Sequence, residues 1–165
     1  MSVKAELAAR LLDIDLERAR AELEDLQRLT RDALADVRAT ALGVRAISLP
    51  GEIASARSAL ESAGIDPHLP TVADEVPSRW RELFAWTIRE GVTNVIRHSN
   101  ATSCEIALDE RSVSVIDNGL GATEHSTNGH GIDGLRQRVA LAGATLTTGP
   151  GPEGRGFALN VEVAS

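Results

Sequence analysis

The chain has 165 residues, 42% of them apolar and only 2% aromatic, which suits one ordinary domain carrying a helical appendage and leaves Leu, Val, Ile and Ala to fill the core. Its formal net charge of −7 argues against a nucleic-acid binder, which needs a basic field to displace counterions. Cys104 is the single cysteine, so no intrachain disulfide can form and a reducing compartment is expected.

Up to about residue 47 the sequence is rich in Ala, Leu, Arg and Glu, with no Pro and one glycine, Gly43. Leu16, Ala19, Leu23, Leu26, Thr30, Ala33, Val37, Thr40 and Val44 recur at alternating three- and four-residue steps. That is a heptad seam, broadened by Leu29, Leu34 and Ala41 into a stripe suited to a bundle. A shorter amphipathic piece, Val3 to Leu12, precedes it, with Asp13 and Asp15 placed to break and recap the helix between them. So long a seam predicts a partner chain, most simply a homodimer forming a symmetric four-helix bundle. Leu49-Pro50-Gly51 ends this segment, and a short helix from Glu52 to Ala63 follows, closed by Gly64 as its C′ residue. Asp66-Pro67 and Leu69-Pro70 predict extended or looped chain after it.

From Pro77 the pattern becomes that of an α/β domain. Pro77 suits the first position of a helix running to about Arg97, with Phe84, Ile88, Val92, Val95 and Ile96 as its buried stripe. By 100° steps Glu90, Asn94, Arg97 and His98 fall roughly opposite. Alternation predicts strands over Thr102–Leu108 and Ser112–Ile116, with a turn at Asp109-Glu110 and Cys104 as a small buried thiol. Gly131 to Ala142 is helical, with Ile132, Leu135, Val139 and Ala142 on one face and Gly143 as its stop. Strands over Ala144–Thr148 and Phe157–Val163, joined by GPGPEGRG, complete the chain. No apolar run is long enough to cross a bilayer and no signal-peptide core is present, so a soluble, cytoplasmic chain without direct membrane contact is expected.

Three segments carry chemistry. The helix face Glu90, Asn94, Arg97, His98 offers an amide and a carboxylate to a hard cation, and a guanidinium and an imidazole to phosphate oxygens. Asp117, at a strand end and followed by Gly119 and Gly121, can accept from an exocyclic amine while the glycines let backbone approach a flat ligand. Gly129-His130-Gly131 opens the helix that carries Leu135, exposing N–H groups to a polyphosphate. A lone DxGxG or GxG is an ordinary turn; all three together describe a site for an adenine nucleotide with Mg²⁺.

In this combination the chain resembles the sensor histidine kinases of two-component systems, in the DesK-like and NarX-like branch of the GHKL ATPases. Glu90…Asn94…Arg97-His98 is similar to the N box, Asp117-x-Gly119-x-Gly121 to the G1 box, and Gly129-His130-Gly131 with Gly134-Leu135-Arg136 to the G2 box. Asp36-Val37-Arg38, Ser48-Leu49 and Leu60–Ile65 look like the second bundle helix and its connection. The resemblance implies an α+β fold: a Bergerat-type ATP-binding α/β sandwich at 77–165, preceded by partial dimerisation helices at 1–49 and a connecting helix at 50–76. It further implies that Asp117 accepts from adenine N6. Glu90 and Asn94 hold Mg²⁺ with its water and form the catalytic pair; Arg97, His98 and the Gly129–Gly131 backbone engage phosphates. Residues 122–128 become the ATP lid, and a response-regulator receiver domain the downstream partner.

Two departures matter. The family's acceptor histidine stands on the first bundle helix, followed by an acidic residue; here the histidines are His68, His98, His125 and His130, and none precedes Asp or Glu. The chain therefore resembles a part that binds ATP without phosphorylating itself. Phe157 stands where the family usually has Thr, whose hydroxyl supports adenine recognition. Two alternatives stay open, an anti-sigma-factor-type serine kinase of the same superfamily and a non-enzymatic, nucleotide-gated dimerisation scaffold. A zinc site and a hydrolase triad lack the residues they need.

Overall fold

The computed structural model describes residues 47–71, 73–121 and 130–164, together with positions 15, 16, 18, 19 and 23. The chain divides into two units at Ala46/Ile47. Most of the heptad seam, the Val3–Leu12 piece, the 122–128 segment and Gly129 lie outside the described residues. Of the seam, Leu16 and Leu23 are exposed and Ala19 is buried.

Among the described residues, the second unit holds a five-stranded sheet and three α-helices. Helix α1 spans Leu49–Ser62, strand β1 Asp66–His68 and helix α2 Ser78–Asn94; β2 is Ser103–Leu108, β3 Ser112–Asp117, helix α3 His130–Leu141, β4 Ala144–Pro150 and β5 Phe157–Val163. The sheet order is β1-β2-β3-β5-β4, antiparallel except for β1, which runs parallel to β2.

Helix α1 begins three residues earlier than the sequence pattern predicts. Ser48 caps it, its Oγ accepting from Gly51 N–H at 3.2 Å, and Pro50 is accommodated in the first turn, where its missing N–H costs nothing. The helix ends in a Schellman motif: Ile65 N–H donates to Leu60 O, Gly64 N–H to Glu61 O, and Gly64 adopts φ +74°. Pro77 is the N-cap of α2 rather than its first residue. Helix α2 gives way after Asn94 to a π-helical turn, Val95–Ser99, closed by Asn100 at φ 52°. The wider turn moves side chains off the 100° stepping, so Ile96 is exposed while Ser99 is buried.

One face of the sheet is covered. Cys104 and Ile106 of β2, Val113, Val115 and Asp117 of β3, and Leu159, Val161 and Val163 of β5 alternate inward and are buried with Phe84, Ile88 and Val92 of α2. Helix α2 crosses β3 closely, because a Cβ on Gly91 would lie 2.8 Å from the Val115 side chain. Helix α3 supplies Ile132, Leu135 and Val139 to the interior, with Ala142 half-buried beyond its end. Opposite residues such as Glu105, Ala107 and Glu162 face out. Among the described residues, no helix is long and apolar enough to cross a membrane.

Polar groups reinforce the layers. Buried Glu52 of α1 takes two hydrogen bonds from Arg89 of α2, at 2.7 and 3.2 Å. The Trp86 ring lies near both the Arg89 guanidinium, 5.0 Å from its centroid, and that of Arg138 of α3, at 4.2 Å. Cys104 is the buried thiol that strand alternation predicts, and burial followed by the nearby Asp117 charge pushes its pKa up to about 12. The β2–β3 turn is organised by Asp109, which accepts from the Arg111 and Ser112 N–H groups and the Ser112 hydroxyl, all at 2.7 Å. The Arg111 backbone bond leads the causes holding its carboxyl below the usual range.

Candidate functional site

At one end of the sheet the inward-facing rows run out of core residues and meet a cleft. Asp117 ends β3 in phase with Val113 and Val115; Phe157 begins β5 in phase with Leu159 and Val161. Helix α2 and its π-helical turn bring Asn94, His98 and Ser99 to the same place, and the first turn of α3 brings Ile132. With Gly121, these residues line a cleft that opens to solvent at this end of the sheet.

Glycines hold the three segments together. Ser99 O accepts from Leu120 N–H at 2.8 Å, and a Cβ on Gly119 would overlap that same carbonyl oxygen. Gly119 O accepts from Gly156 N–H at 3.1 Å; Gly156 sits at φ +66°, and a Cβ there would overlap the Asp117 carbonyl oxygen. Asn118, an unassigned position of the motif, is a brace: its Oδ1 accepts from the Thr102 and Ser103 N–H groups at 2.9 and 3.0 Å. The spacing Asp-x-Gly-x-Gly therefore reflects two points where backbone lies against backbone.

Asp117 is 4% exposed. Burial raises its pKa, opposed by a hydrogen bond from the Gly119 N–H, at 2.8 Å to Oδ1, and by the nearby Phe157 N–H. A carboxylate held this way is fixed in position while retaining acceptor capacity for a ligand. Asn94 contributes a second polar group: its Nδ2 is buried with no hydrogen-bond partner among the described residues. Ser99 offers its hydroxyl little freedom, since Oγ donates to Val95 O at 2.7 Å and accepts from Ala101 N–H at 3.0 Å.

The other predicted site residues are distributed around this cleft. Glu90 lies one turn before Asn94 and abuts the start of α3, where a Cβ on Gly131 would overlap its Oε1. His130 begins α3. Arg97 is exposed and does not line the cleft. Leu135 is buried in the core behind it. Ser99 and Ile132 join the lining without having been singled out by the sequence pattern: Ser99 because the π-helical turn redirects it, Ile132 because its helix-face periodicity marks it as core. Among the described residues, no three His, Cys, Asp or Glu side chains converge on a metal position.

These residues fit an adenine nucleotide. The cleft couples a buried carboxylate, an amide with an unsatisfied donor and a nearly apolar wall to a helix start whose early N–H groups suit an anion.

The helix-covered sheet and its glycine-clamped cleft give the second unit a fold shared with solved histidine kinase structures. Solved structures sharing it include the cytoplasmic segment of histidine kinase QseC, with TM-score 0.53 and 20% identity over 84% of this chain and 94% of that one. Another is the histidine kinase domain of the Erythrobacter litoralis EL346 blue-light activated kinase, with TM-score 0.52 and 21% identity over 70% and 60%. No family model matches the chain. It is homologous to sensor histidine kinases: it is 28% identical over 153 residues to Bacillus subtilis sensor histidine kinase YvfT, covering 89% of this chain and 41% of that protein. It is 29% identical over 160 residues to sensor histidine kinase DesK of the same organism, covering 88% and 42%. The chain thus spans about two-fifths of the length of these relatives.

Proposed function

We propose that this chain is the ATP-binding catalytic part of a two-component sensor histidine kinase, acting in the cytoplasm as a homodimer joined through its N-terminal helices. The observation that carries the reading is the meeting of Asp117, Asn94 and His98 in one cleft, with Glu90, one turn before Asn94, against the start of α3. Asp117 accepts from the exocyclic amine of adenine. Asn94 and Glu90 hold Mg²⁺, directly or through water, and His98, Arg97 and the backbone at Gly129–Gly131 bind phosphate oxygens. Bound Mg²⁺ supplies charge neutralisation to the γ-phosphoryl group. Catalysis is then chiefly positioning and electrostatic stabilisation.

The phosphoryl acceptor is a histidine on a dimerisation helix, of which residues 1–49 contain none, and the onward acceptor is an aspartate of a response-regulator receiver domain. By itself the chain binds ATP without phosphorylating itself. Titration with a fluorescent ATP analogue, with and without Mg²⁺, tests the site. Asp117→Asn should weaken binding under both conditions, while Asn94→Asp should alter the Mg²⁺-dependent part. Unchanged affinity in both variants would remove the assignment, and an acid-labile phosphoprotein formed from the isolated chain would contradict the missing acceptor.

A further inference from the structure

We propose that Phe157 is the residue that grips the base of the nucleotide, through apolar contact rather than a polar relay, leaving Asp117 to read its edge. This rests on the ATP-site reading above.

The position of Phe157 is tightly determined. It starts β5 opposite Pro150, directly after Gly156, whose φ of +66° and close approach to the Asp117 carbonyl admit no side chain. Gly156 N–H donates to Gly119 O, and its own carbonyl accepts from Gly151 N–H at 3.2 Å. The Phe157 N–H lies near enough to the Asp117 carboxylate to oppose the rise of its pKa. One residue therefore orients the base-reading group with its backbone and walls the same cleft with its ring.

The ring's phase in β5 is that of the buried Leu159, Val161 and Val163, so it extends the core row into the cleft, where Ile132 is a second apolar wall residue. A phenyl group cannot hydrogen-bond a base or hold a bridging water. It offers a flat, rigid surface, and contact between an aromatic side chain and a base is insensitive to the base's edge substituents. It also excludes water beside Asp117, which strengthens the direct hydrogen bond that carboxylate can make. Affinity and discrimination are thereby divided: the ring sets how tightly a purine is held, and Asp117 sets which purine.

The test is competition binding with Mg-ATP and Mg-inosine triphosphate, which carries a carbonyl where ATP has the amine. The parent chain, Phe157→Ala, Phe157→Leu and Asp117→Asn are compared. Phe157→Ala should weaken both nucleotides by a similar factor, roughly 5- to 100-fold, leaving their ratio unchanged. Phe157→Leu should lose a few-fold and covers the case in which the alanine variant does not fold. Asp117→Asn should instead collapse the ratio. If Phe157 variants bind ATP as the parent does, or weaken it by collapsing the ratio, the residue acts not as a base grip but at most as a support for Asp117, and the proposal is overturned. Failure of the parent chain to bind ATP at all overturns the nucleotide reading instead.

Discussion

Two glycine-to-alanine changes should separate a glycine required by backbone packing from one required by a side chain in the site. At Gly131 a new Cβ would overlap Glu90 Oε1 and lie 2.9 Å from Oε2, while no backbone atom is among its nearest contacts. The obstacle is the far end of a flexible side chain. Restoring van der Waals separation moves that carboxylate by on the order of 2 Å. The alanine itself favours the helix by up to about 1 kcal/mol. Gly131→Ala should therefore unfold within about 1 kcal/mol of the parent, yet bind Mg-ATP about 10-fold more weakly or worse, since angstrom-scale misplacement of a positioning group is expensive. At Gly119 the new Cβ would overlap the Ser99 carbonyl oxygen, with the carbonyl carbon at 2.7 Å and Asp117 Oδ1 at 3.0 Å. That carbonyl is tied to Leu120 N–H and cannot swing away. Gly119→Ala should cost about 3 kcal/mol or more and abolish binding. Urea unfolding and nucleotide titration of both variants provide the check. Equal destabilisation of the two, or parent-like Mg-ATP affinity in Gly131→Ala, would refute the reasoning.

Asp117 should show a conflict between stability and function. Burial places its folded pKa above the unfolded one, so ionising it erodes stability as pH rises from the ordinary carboxylate value through the raised one. Asp117→Asn should remove that erosion, remain at least as stable as the parent at neutral pH and bind ATP at least about 10-fold more weakly; a variant that unfolds more easily while binding normally reverses the expectation. Parent ATP affinity should likewise fall on acidification through the Asp117 carboxyl, with a midpoint above the ordinary carboxylate value. At the α1–α2 contact, Arg89→Ala strands the nearly buried Glu52 carboxylate and should cost about 1–3 kcal/mol, discounted because Arg89 is 43% exposed. Glu52→Gln keeps an acceptor and should cost less in the same urea series; the opposite order would count against the pair. Cys104, buried with its pKa pushed up to about 12, should resist a disulfide exchange reagent at pH 8 until the chain unfolds, and stoichiometric labelling of native protein would contradict this.

The sequence was most informative where one period or one turn decides the outcome. Strand alternation predicted β2, β3, β4 and β5 to within two residues, and the Gly64 and Gly143 stops end their helices at positive φ. It was least informative where a local departure needs tertiary context. Nothing in VIRHS announces a π-helical turn, so fixed 100° stepping buried Ile96 and overlooked Ser99. The parallel pairing of β1 with β2 joins residues separated by α2, and three residues are too few to show a period. Asn118 had no visible role in the sequence because its partners, the Thr102 and Ser103 N–H groups, lie across the sheet end rather than nearby in the chain.

The cleft is the place where the core's own pattern stops being filled. Asp117 and Phe157 occupy inward positions that alternation assigns to apolar residues, one carrying a carboxylate and the other a ring that faces the cleft. A buried carboxylate disfavours its own ionised form, and the two N–H groups that oppose this, from Gly119 and Phe157, are available only because neighbouring glycines let three backbone segments close on one another. The glycines are thus the condition for placing a charge at the end of an apolar layer. The same condition makes the site intolerant: a methyl group at Gly119 or Gly156 meets main chain, so no rotamer change can absorb it, and the carboxylate loses its support together with the fold around it.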